Sequence, residues 1–136
     1  MRILAVLQGL DHPGSAVTTC CISQLEALAQ DHRCSIVSDG QPQPGSTQLS
    51  VVRLPVPRLR FLRRFAHVPR QLLFIGIAGL HLCRGGKSDQ IDLVLLHSHP
   101  STALLAPWLR RFRGCKVAMV LHGEFATGPR GPTTLA

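Results

Sequence analysis

Tyrosine is absent from this 136-residue chain, tryptophan occurs once and phenylalanine five times. Proteins that grip single-stranded nucleic acid need aromatic platforms beside their basic residues, so this scarcity argues against a nucleic-acid partner. Acidic residues are also few, 7 against 15 Lys+Arg, which leaves a net charge of +8. That imbalance favours polyanions such as nucleotide or sugar phosphates or an anionic membrane face. The five cysteines (Cys20, Cys21, Cys34, Cys83, Cys115) form no C-x-x-C pair and are odd in number. They predict reduced, mostly buried thiols in a cytoplasmic protein. No apolar run approaches the ~18 residues of a membrane span. The amino-terminal run is cut short by Gln8 and Gly9, unlike a secretion signal.

What the chain does have is a series of short apolar strands separated by helical patterns. Strands are expected at residues 2–7, 33–38, 49–54, 92–96 and 115–121. Ser15 is placed to cap a helix over 16–30, whose buried stripe would be Val17, Cys21, Leu25 and Leu28. A helix-like stretch covers 58–84, basic at first and then apolar, with Pro69 expected to break or kink it and Gly85-Gly86 to end it. Another helix is expected over 101–112, with Pro107 an awkward interior residue. The fold class that follows is α/β: a Rossmann-like open, mainly parallel sheet with helices on both faces. Strand order 3-2-1-4-5 puts the Gly9–Ser15 loop, His97 and His99 at one crevice, with His122 one strand further along.

Each of these features has a functional and a structural reading. The loop from Gly9 to Ser15 can offer backbone N–H groups and a helix N-terminus to a phosphate, or it can be a tight strand-to-helix turn. It matches neither G-x-G-x-x-G nor a P-loop. His97 and His99 share a strand face, and either can serve a site or a strand-end hydrogen bond. With His122 the sole further ligand in view, no metal is expected. His122 can bind a sugar hydroxyl or transfer a proton near neutral pH, Gly123 allows close approach, and Glu124 can meet acceptor hydroxyls. Arg58, Arg60, Arg63 and Arg64 can contact an anion or membrane surface or form a solvated face. Arg110, Arg111, Arg113 and Lys116 read as a solvated helix end.

The order of these motifs resembles a known family. Asp92-x-Val94-x-x-His97-x-His99 on strand four, then Val117 to Gly123 on and after strand five, looks like the N-terminal half of GT-B-fold glycosyltransferases of the retaining group called family 4. The resemblance implies that residues 1–124 form a Rossmann-like, acceptor-side domain. It implies that 125–136 are an irregular tail or a lead into a missing C-terminal donor-binding domain or partner subunit. It also implies a nucleotide-sugar co-substrate and a saccharide or lipid-linked acceptor, with no metal or other cofactor. Gly14 and Ser15 match the family's donor-phosphate loop, although Pro13-Gly14-Ser15 stands where many relatives carry a glycine pair. His99 matches the strand-four histidine near the cleft and His122 the histidine beside the transferred sugar, while His97, Gly123 and Glu124 fall on the acceptor side. The chain alone is expected to have little transferase activity and to be cytoplasmic, with a peripheral place at the inner membrane face as a further expectation. Two alternatives stay open: a stand-alone nucleotide- or partner-binding subunit, and a peripheral membrane module.

Overall fold

In a computed structural model the described residues are 1–11, 15–57, 67–85, 90–97 and 100–120. Five strands, β1 (Arg2–Val6), β2 (Arg33–Ser38), β3 (Ser50–Arg53), β4 (Leu93–His97) and β5 (Lys116–Val120), form one sheet in the order β3-β2-β1-β4-β5. Every pairing is parallel, so the expected order and Rossmann-like class hold. The near-continuous apolar runs are explained by this parallel arrangement, in which both sheet faces are covered.

Strand periodicity divides the core in two. Ile3, Ala5 and Leu7 of the β1 region, with Ile36 and Leu95, pack under helix α1 (Ala16–Leu28) through Cys21 and Leu25. Leu4, Val6, Val37, Val94 and Leu96 point the other way. They meet Phe74, Ala78 and Leu82 of α2 (His67–Arg84) and Leu105 and Leu109 of α3 (Leu105–Arg113). A Phe74 side chain buried to 0% exposure contributes about 2–3 kcal/mol of transfer free energy. At the amino edge Asp92 joins three strands. Its Oδ2 accepts the Arg2 N–H at 2.6 Å, its own N–H donates to the Arg2 carbonyl at 3.0 Å, and its carbonyl accepts from Lys116 N–H at 3.0 Å.

Several local expectations change. α2 spans His67–Arg84 and carries Pro69 two residues from the border of the described residues. Pro107 falls in the first turn of α3, where a missing N–H has no intrahelical partner to lose: a 3-10 helix (Pro100–Leu104) precedes α3, which starts only at Leu105. Residues 58–66 of the expected helix lie outside the described residues. Leu28, assigned to the buried stripe, is 36% exposed because α1 ends there and has run past the sheet. All five cysteines are free, but only Cys21 and Cys115 are buried and Cys20 is exposed. Cys20 and Cys21 are adjacent on one helix and so cannot share its buried face.

Candidate functional site

In a doubly wound sheet, ligands bind beyond the carboxyl ends of the strands, where the order reverses. Here that point lies between β1 and β4, since β1 leads through α1 to β2 on one side and pairs with β4 on the other. The residues gathered at this edge are the Gly9 loop, the Ser15 cap, the end of β2 and the end of β4.

Gly9 follows β1 with φ 78°, a left-handed conformation that only glycine adopts readily. This turns its N–H toward Asp39, whose Oδ1 accepts it at 2.7 Å. The other oxygen of Asp39 is 3.1 Å from Nη2 of Arg70 on the first turn of α2. Asp39 is therefore a clamp: it fixes the loop after β1 to the helix that follows β3. The Asp39 side chain is 2% exposed and that of Arg70 is 35% exposed, so one end of the pair is shielded and the other meets solvent. Next to it, a Cβ on Gly40 would sit 2.6 Å from Asp11 Oδ1 and 2.8 Å from the Asp11 backbone nitrogen. Only glycine lets the β1 loop lie this close to β2.

Ser15 caps α1 in extended geometry, and its Oγ accepts the Thr18 N–H at 3.4 Å. Its carbonyl takes the Thr19 N–H at 3.0 Å. The expected cap is thus present, at the end of the loop that reads either as a phosphate site or as a tight strand-to-helix turn. His97 closes β4, in register with Val120 of β5, and is buried to 0% exposure. Its backbone reaches the carboxyl edge while its ring lies within the protein. Gly14, His99, His122, Gly123, Glu124, Arg58, Arg60, Arg63 and Arg64 lie outside the described residues. Among the described residues no group of three or more His, Cys, Asp and Glu side chains is arranged to hold a metal.

Sequence reasoning missed the Asp39–Arg70 clamp. The available signal was an acidic residue followed by glycine at the end of the second strand. In dinucleotide-binding sheets an acid near this position takes a ribose hydroxyl. Here both carboxylate oxygens are already engaged with Gly9 and Arg70.

No family model and no curated protein matches this sequence. Among solved structures, the apo form of a lipopolysaccharide outer core galactosyltransferase, WaaB, is similar, with a TM-score of 0.51 over 88% of this chain. Identity is 12%, and the match covers 32% of that protein, so the likeness is one of fold. The open, all-parallel sheet is thus of the kind found in part of a glycosyltransferase.

Proposed function

We propose that this chain is the acceptor-side, N-terminal Rossmann-like domain of a GT-B, family 4-like glycosyltransferase. The parent reaction moves a sugar from a nucleotide-sugar to an acceptor hydroxyl with retention of configuration. The observation that carries this reading is the β3-β2-β1-β4-β5 sheet, whose switch point lies between β1, which runs into the Gly9 turn, and β4, together with the galactosyltransferase likeness in fold.

In this reading Gly14 and Ser15 meet the donor phosphates at the start of α1, where N–H groups and the helix dipole favour negative charge. Asp39 holds the preceding turn through Gly9. His122 and His99 lie near the transferred sugar, as hydrogen-bonding or proton-transferring groups, and Gly123 and Glu124 lie toward a saccharide or lipid-linked acceptor. His97 supports this rim from within the sheet. No metal is required, because side chains and helix dipoles stabilise the leaving diphosphate. The donor-binding half is supplied by a C-terminal domain or a partner subunit.

Intact mass of the protein from its native source, together with the anomeric configuration of the product it forms from a panel of nucleotide-sugars, tests the reading. The expected result is a mass more than twice 14.8 kDa and a retained anomeric centre. An inverted product removes the family 4 reading. A mass near 14.8 kDa with turnover by that chain alone removes the half-enzyme reading.

A further inference from the structure

Helix α2 carries two apolar stripes. One, through Phe74, Ala78 and Leu82, is buried against the sheet. The other recurs at Val68, Leu72, Ile75, Gly79 and Cys83, the spacing of a single helix face. It is not covered at its start: Val68 and Leu72 are each more than half exposed. Leu104 and Trp108, also more than half exposed, form a wall opposite. Between α2 and that wall lies a groove of about 420 Å³. Glycines make its floor: a Cβ on Gly76 would meet nothing within 4 Å, and one on Gly79 would just touch Leu105 Cδ2 at 3.4 Å. Large apolar side chains grouped this way on a surface mark an interaction site.

Shape narrows the occupant. A flat surface would rest on the rim leucines and leave the floor empty, whereas a ridge of side chains fills it. Apolar grooves of this kind take the apolar face of an amphipathic helix. Val68 to Cys83 runs about 22 Å at 1.5 Å per residue, room for about four turns of a partner helix.

Charge narrows it further. Neither α2, the 3-10 helix nor α3 contains an Asp or Glu. Exposed Arg84 follows Leu80 by four residues and exposed Arg111 follows Trp108 by three, so each stands beside one wall of the groove. Both helices connect parallel strands and run back from the carboxyl edge to the amino edge, which puts the two arginines at one end. The bland role of such cations is to offset the negative ends of the helix dipoles, but that does not account for the exposed leucines and tryptophan. An apolar trough with a cationic end and no carboxylate complements a helix that is apolar on one face and acidic at one end. A second copy of this chain, with its net charge of +8, would bring cations instead.

We propose that the α2–α3 groove seats an amphipathic helix of a separate protein, with apolar side chains over Gly76 and Gly79 and carboxylates on Arg84 and Arg111. This does not depend on the transferase reading.

Trp108 is the one tryptophan of a chain without tyrosine, so its emission reports on the groove. The experiment titrates the 136-residue chain with a synthetic four-turn helix that carries leucines along one face and glutamates at one end. The same peptide with lysines for glutamates, and phosphatidylglycerol vesicles, are the comparisons. The expected result is a saturable blue shift with the glutamate peptide, about tenfold weaker binding of the lysine peptide, and little response to vesicles. Gly76→Leu puts a side chain into the open floor and should abolish peptide binding, with a urea midpoint no lower than that of the wild type. Arg84→Gln/Arg111→Gln, at exposed positions, should weaken binding about tenfold. The proposal is overturned by no shift with the glutamate peptide, by equal affinity for the two peptides, or by unchanged binding in folded Gly76→Leu. A shift with vesicles but not with peptide, or one that appears without peptide as protein concentration rises, also overturns it, assigning the groove to lipid or to a second copy.

Discussion

The layer built by α2 and α3 contains no carboxylate, whereas α1 carries Glu26 and is followed by Asp31. Both layers bury apolar residues against the same sheet, one through Phe74, Ala78 and Leu109 and the other through Cys21 and Leu25. They differ on the side turned to solvent. The α1 surface is that of an ordinary solvated helix. The α2–α3 surface keeps leucines and a tryptophan exposed beside arginines. Inner packing therefore explains the fold of both layers, but it explains the outer composition of only one.

Mutations that break the inner equivalence should have the largest effects. Phe74→Ala is expected to cost about 3–5 kcal/mol and Leu25→Ala about 2–5 kcal/mol, measured by urea denaturation. A loss below about 1 kcal/mol at either site would mean that its layer does not pack as described. Asp39→Ala removes the clamp between the β1 loop and α2 and leaves the Gly9 N–H without its acceptor. It should cost about 1–3 kcal/mol, with amide exchange rising at Gly9. Unchanged exchange there would dissociate the loop from Asp39.

The α1 layer has a pH signature of its own. Burial, reinforced by neighbouring Cys20, pushes the Cys21 thiol from 9.0 up to about 12. Its contribution to stability is complete below the unfolded value and is lost as pH rises from about 9 toward 12. A stability profile across that range should fall for the wild type and flatten in Cys21→Ala. Parallel profiles would remove this thiol from the alkaline response. The smallest effect belongs to the other layer. Gly76→Ala puts a Cβ into open space inside a helix and should raise stability by about 0.5–1 kcal/mol. A destabilised variant would show the groove to be tighter than described.

Strand order was legible because each strand is a short apolar run between helical patterns, and β2 spans 33–38 as expected. The helix starts were less legible. Pro107 read as an interruption, since a sequence pattern does not distinguish a proline inside a helix from one in its first turn. Leu28 fitted the helical period but lies where α1 has left the sheet. Ser15 was visible as a cap because capping is local. The Asp39–Arg70 pair was not, because its partners are 31 residues apart and meet only through the sheet topology. The exposed groove was hidden for a related reason: Leu72, Leu80 and Leu104 have the composition of core, and only the packing shows that they face out.

The most direct test of the central claim is sugar transfer from a panel of nucleotide-sugars by the protein purified from its native source, wild type against His122→Ala. The account predicts transfer by the wild type and a fall of about 10²–10⁴-fold in the variant. No transfer from any donor, or equal rates for the two, would contradict it.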